Sequence, residues 1–245
     1  MAGDYLPYVP QGKPILIDEG IWTVEGSTVL YPFGPFRIPC PTRATILADP
    51  GGGIWLHSPV AYSDRLRSSI EALGPISGLI APNTFHHLYI RDWATNVPQA
   101  AVVLAPGLEA LFDDLQSRFI PLTRMMPEGG RDWLGLEIID GGAWCEVAFL
   151  HKASRSLVLT DMLQNFELGR VHGLLPKSLL ALSGAGRGPV VSFELLVMAW
   201  RSGMLEQVRS SLRVLKRISA RRVLIAHGKQ PTSQESREKG WTIEA

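Results

Sequence analysis

The chain has little of what marks a cross-linked or strongly charged protein. It carries two cysteines in 245 residues, Cys40 and Cys145. Two thiols close at most one bridge, so a disulfide scaffold is excluded and a reducing, cytoplasmic setting is the simpler expectation. Charged residues make up 19% of the chain and the net charge is +1. That balance offers no global attraction to nucleic acid or to an anionic membrane. No apolar run approaches the ~20 residues that span a bilayer, and no basic-then-apolar leader is read at the start. Neither Ser58 nor Ser154 sits in a Gly-x-Ser-x-Gly setting, so neither is read as a nucleophile. Internal repeats and low-complexity linkers are missing too. The expectation is therefore a single domain over 1–245, with a proline-rich extended arm at 1–20 and a loose polar tail at 231–245. The expected partner is a small-molecule substrate.

Apolar residues are plentiful, at 46%, enough for a substantial core. Short apolar runs over 21–24, 28–31, 43–47 and 54–57 read as strands, with Gly26, Asp49-Pro50 and Gly51-Gly52-Gly53 as turns. The period then changes. Ser63 is a candidate N-cap, and Leu66, Ile70 and Leu73 share one helical face, which Gly74-Pro75 ends. A strand to Ala81, a short helix over 91–96, a strand over 101–104 and a helix over 108–115 follow. Strands are expected near 136–139, 147–150, 157–160 and 222–226. Leu205, Val208, Leu212 and Leu215 form the stripe of the longest helix. Arginines and lysines around that helix, Arg209 to Arg222, read as a solvated face, and the glycine-rich stretch 183–188 as a flexible loop. Strands first, then strands alternating with helices, give an α/β protein in which helices cover both outer faces of two sheets.

The chemistry gathers where these apolar runs end. Val223 to Ala226 delivers His227-Gly228, and Ser156 to Thr160 delivers Asp161. Leu79 to Pro82 opens into Asn83-Thr84-Phe85-His86-His87, and Ile54-Trp55-Leu56 ends on His57. Imidazole and carboxylate at the rim of a sheet are what a metal-holding cleft needs, and they suit zinc, iron or manganese. Blander roles exist for each. His86 and His87 fit loop-capping hydrogen bonds, and Asp161 fits an N-cap for the turn that starts at Met162.

The order of these phrases resembles a degenerate metallo-β-lactamase-type hydrolase, and resembles more closely an uncharacterised family of domains of unknown function within that superfamily. The phrases are Pro41-Thr42-Arg43-Ala44-Thr45, Trp55-Leu56-His57-Ser58-Pro59-Val60, Ala81-Pro82-Asn83 with His86-His87, Ser154-Arg155-Ser156-Leu157 with Thr160-Asp161, and Ala226-His227-Gly228. The resemblance implies a four-layer αββα sandwich. It implies a metal set drawn from His86, His87, Asp161 and His227, with Asp161 and His57 as catalytic residues. One zinc ion or two would be bound, with iron or manganese as substitutes, or none. The implied activity is hydrolysis of an ester, lactone, thioester or amide. The alternative is a non-catalytic relative whose metal site has decayed and which binds a ligand or a protein. The chain departs from the superfamily's His-x-His-x-Asp-His pattern, because Pro82 and Thr84 stand at the first two histidine positions and His86 at the aspartate position. No histidine precedes Cys145 where a third is usual; Cys145 and Glu146 are the candidates to replace it. His151, about 15 Å of strand from Asp161, is read as a hairpin-end or surface residue, and His172 as structural or exposed.

Overall fold

The computed structural model describes residues 4–33, 35–120, 122 and 133–244. A six-stranded sheet holds β1 (Ile15–Asp18), β2 (Ile21–Phe33), β3 (Phe36–Ala48), β4 (Ile54–His57), β5 (Ile76–Ala81) and β6 (Ala101–Leu104), in that spatial order. Its first four strands pair antiparallel and its last three pair parallel. The parallel pairs need crossovers, and α1 (Asp64–Glu71) and α2 (Ile90–Asn96) supply them. Ser63 caps α1 by accepting from the backbone N–H of Leu66, as its position predicts.

The second sheet has the order β12 (Arg222–Leu224), β9 (Ser156–Val158), β8 (Cys145–His151) and β7 (Leu134–Asp140). Side-chain alternation makes it two-faced. Val147, Phe149, Val158 and Leu224 join the core shared with the first sheet. Ala148, Leu157 and Val223 face the other way, into a core with Leu195 of α4 (Phe193–Arg201) and Val208, Leu212 and Leu215 of α5 (Leu205–Arg217). Helix, sheet, sheet, helix is the resulting layer order. Arg209, Arg213 and Arg217 are exposed on α5, the solvated face read from the sequence. A third cluster closes one end. Tyr5, Ile38, Cys40 and Phe166 pack there with Leu180 of α3 (Leu174–Leu182). The ribbon β10 (Leu163–Gln164) with β11 (Val190–Val191) lies beside it.

Several expectations need correction. The runs 21–24 and 28–31 are one strand, β2, with an irregularity between Glu25 and Thr28. Gly26 is no turn; a Cβ there would collide with Thr42 and Val60, so close packing demands the glycine. The helix expected over 108–115 is a 3₁₀ segment, Glu109–Arg118, kinked at Phe112. The tail is not loose. Thr232 and Glu235 form a capping box for α6 (Ser233–Glu238), and Trp241 and Ile243 are buried. The arm is extended but anchored, with Tyr5 fully buried and β1 paired to β2. The 183–188 loop is packed rather than free: Ala185 is buried and its carbonyl accepts from Phe166 N–H at 2.9 Å. His151 ends β8 but is buried, with Nδ1 2.7 Å from Ser154 Oγ.

Candidate metal centre

Three loops leave the ends of β5, β9 and β12 and bring His86, Asp161 and His227 together. The chain turns sharply after His227 because Gly228 adopts φ +89°, and a Cβ there would strike the Asn165 backbone; only glycine fits. Arg43, buried, holds this loop from the sheet side. It donates to the carbonyls of Ile225 and Gly228, both at 2.8 Å, and pairs with Glu25 at 2.6 Å.

Glu146 anchors the Asp161 loop. Its carboxylate, wholly buried, accepts from the backbone N–H groups of Thr160 at 2.8 Å and of Asp161 and Met162 at 2.9 Å. Burial and the nearby Asp161 charge push the Glu146 pKa up, and the backbone donors oppose them. Asn83 fixes the third loop. Its Oδ1 accepts from the N–H of Phe85 at 2.8 Å and of His86 at 2.6 Å, an Asx-type turn. Those bonds orient the amide, so Nδ2 donates to Asp161 Oδ2 at 2.6 Å and to Thr160 Oγ1 at 2.9 Å. The Asn83 oxygen is thereby used locally.

At the centre, His227 Nε2 lies 3.0 Å from Asp161 Oδ1 and 2.8 Å from His86 Nε2, and His86 Nε2 lies 3.2 Å from Asp161 Oδ2. Among the described residues this is the group whose ligand atoms all fall within 4.8 Å of one another. The outer ring nitrogens are engaged. His227 Nδ1 donates to the Pro41 carbonyl at 2.7 Å and has Cys40 Sγ at 3.1 Å; Ser58 Oγ is 2.5 Å from His86 Nδ1. Phe166 stacks on the His227 ring. Burial works to raise the Asp161 pKa, but His86 and His227 outweigh it and hold the carboxyl well below its usual range. Burial opposes protonation of His227, yet Cys40 and Asp161 push its pKa well up.

These residues fit a metal ion. A carbonyl can only accept, so the proton of a neutral His227 ring sits on Nδ1 and the Nε2 lone pair faces Asp161 and His86. That spot calls for a cation, either a proton or a metal. Tetrahedral ligation at about 2.0–2.1 Å sets ligand atoms about 3.3 Å apart; here the two imidazole nitrogens are 2.8 Å apart, and Asp161 offers Oδ1 to His227 at 3.0 Å and Oδ2 to His86 at 3.2 Å.

The other sequence candidates lie elsewhere. His87 is not brought into the cluster; its half-buried ring packs edge-on to Phe112 at 5.9 Å. His57 is buried against Phe149, centroids 5.0 Å apart. Its Nε2 has no partner among the described residues, and burial lowers its pKa to about 3. Asp161 caps no helix, because β10 follows it. Cys145 lines a separate hollow with Trp144, and His172 is exposed. Cys40, Pro41, Arg43 and Ser58 were given no role from sequence, and Glu146, a candidate replacement ligand there, instead anchors the Asp161 loop. Two of the quoted phrases carried members of this set: Pro41-Thr42-Arg43 grips the His227 loop, and Ser58 meets His86.

Two small cavities meet at the cluster. Tyr31, Cys40 and Asp161 line both.

A family model described as a domain of unknown function, DUF4336, matches residues 18–180. No curated protein matches the sequence. Solved structures do share the architecture. A fragment of a Nostoc sp. PCC 7120 protein named as a diflavin flavoprotein aligns with TM-score 0.60 at 9% identity, over 94% of each chain. A metallo-β-lactamase from Pontibacter korlensis aligns with TM-score 0.53 at 13% identity, over 94% of this chain and 97% of that one. The chemotaxis sensor ODP, solved as a peroxy diiron species, aligns with TM-score 0.53 at 13% identity, over 92% and 91%. The chain has the metallo-β-lactamase fold.

Proposed function

The chain is a member of the DUF4336 family, and from its site we propose that it is a hydrolase dependent on one metal ion held by His86, Asp161 and His227. The observation that carries this reading is the convergence of two imidazole nitrogens and a carboxylate within 4.8 Å, with each outer ring nitrogen already occupied. Such outer bonds fix the tautomer and aim the lone pair, as around metal-ligating histidines generally. A bound ion would supply Lewis acidity toward a carbonyl and a lowered pKa for its water, which suits an ester, lactone, thioester or amide. The chain's own residues do the positioning. Pro41 holds the proton on His227 Nδ1, Ser58 orients His86, Asn83 orients Asp161, and Glu146 keeps the Asp161 loop in place. Zinc is the expected ion.

Two histidines and one carboxylate also suit ferrous iron, and the structural neighbours include a diiron species. Iron in the same three-residue site is the second reading.

Elemental mass spectrometry on untagged protein separates these. We expect about one equivalent of zinc in the wild type. In His227→Ala the metal and the cleavage of a p-nitrophenyl ester should be lost together. One equivalent of iron selects the second reading. A wild type that takes up no metal, or a His227→Ala variant that keeps it, overturns the site and leaves a ligand-binding protein.

A further inference from the structure

One of the two cavities has a composition that the metal reading does not explain. Three aromatic residues line it, Tyr31, Phe166 and Phe193, and beside Asp161 it holds a second carboxylate, Glu194. Ile38, Leu180 and Val190 complete an apolar wall. No lysine or arginine lines either cavity among the described residues. Glu194 is half-buried in the first turn of α4; burial raises its pKa, the neighbouring Tyr31 hydroxyl opposes that, and the Asp161 charge adds to it. A carboxylate set among aromatic rings attracts a cation twice, by charge and through the ring quadrupoles. At Glu194 it repels an anion.

We propose that this cavity binds an ammonium group on an apolar chain, so that the substrate is an ester, thioester or amide with a cationic acyl half. The assignment of the acyl half rests on the hydrolase reading; recognition of the ammonium group does not. Glu194 is the counter-charge, Tyr31 lines the cavity beside it, and Phe193, 57% exposed, forms the mouth through which the chain enters. The scissile bond then lies over the His86, Asp161 and His227 cluster, with the leaving group in the second cavity beside Phe85 and Leu88.

The test is calorimetric binding of two probes that share one apolar body: trimethyl(4-phenylbutyl)ammonium and 4-phenylbutanol. The quaternary ammonium has no lone pair and cannot ligate a metal, so its preference reports on the cavity alone. We expect the cation to bind at least tenfold more tightly than the alcohol. Glu194→Gln should bring cation and alcohol within about threefold at unchanged melting temperature. Should that variant unfold, Phe193→Ala at the mouth should weaken the cation at least threefold. Equal affinities, no binding of any probe, or a preference that survives Glu194→Gln overturns the proposal. The two readings fail separately. Neutral p-nitrophenyl esters cleaved without cation preference would sink only the ammonium site. Tight cation binding by a protein that takes up no metal would sink only the hydrolase.

Discussion

Asn83 and Glu146 do not touch substrate or metal in the proposed mechanism, yet the site depends on them. Asn83 donates to Asp161 while its oxygen caps the turn that carries His86. Removing such a partner typically weakens metal binding 10–100-fold. Asn83→Ala should do so in a competition titration against a chromophoric chelator, with the stoichiometry kept at one. Unchanged affinity would mean that Asp161 is positioned by its loop alone. Glu146→Gln keeps the volume but turns an NH₂ group toward backbone donors, leaving at least one buried N–H unpaired. The cost is about 1–3 kcal/mol in urea unfolding; a change under about 0.5 kcal/mol would mean the loop has another anchor. At this scale the sequence was half legible. Asp161, His86 and His227 stand where apolar runs end, which periodicity reveals. Asn83 and Glu146 are 63 positions apart and meet at an isolated bridge between the two sheets, and no local pattern encodes that meeting.

Strands and helices were legible wherever one face is buried and the other is not. α1 and α5 match their stripes, while β6, buried on both faces, is legible only as a continuous apolar run. Legibility failed where a residue's environment is set from far away. Gly26 looks like a turn but is a close-packing site under Thr42 and Val60. The tail looks polar, yet Trp241 and Ile243 dock on the α4–α5 side of the second sheet. Gly228 is the converse case, a local rule with a functional outcome. Gly228→Ala places a side chain at φ +89° against the Asn165 backbone and should cost about 2–4 kcal/mol. Gly52→Ala is the control: its φ is +81° but nothing lies within 4 Å, so about 1 kcal/mol is expected. Chemical unfolding of both variants measures the difference, and equal losses would show that strain alone, without the Asn165 contact, sets the turn. In the tail, Thr232→Ala removes a capping-box bond and should lower stability by about 1 kcal/mol. A truly loose tail would show no change.

The molecule as a whole is two sheets pressed together, and His57 lies in that seam. A ring buried against Phe149 with one nitrogen unpartnered among the described residues stays neutral down to about pH 3 when folded. Unfolded, it takes a proton near pH 6.5. Between those values the unfolded chain binds more protons, so stability rises with pH. The contribution is complete above about pH 6.5 and is lost as pH falls, by about 1.4 kcal/mol per unit toward pH 3. His87 and His151, whose pKa values burial also lowers, tilt the curve the same way. His227, raised instead, contributes stability that is lost as pH rises above 6.5. The lowered Asp161 adds its loss only below about pH 4. A difference between wild type and His57→Leu cancels these shared terms. Leucine is close to histidine in volume and leaves no polar atom unpaired, so near-neutral stability should change by no more than about 1.5 kcal/mol. Moving from pH 6 to pH 4.5, the variant should gain on the wild type by about 1.4 kcal/mol per unit in urea unfolding of the metal-free protein. Parallel curves would place the His57 proton in contact with water, and the seam between the sheets would then be wet.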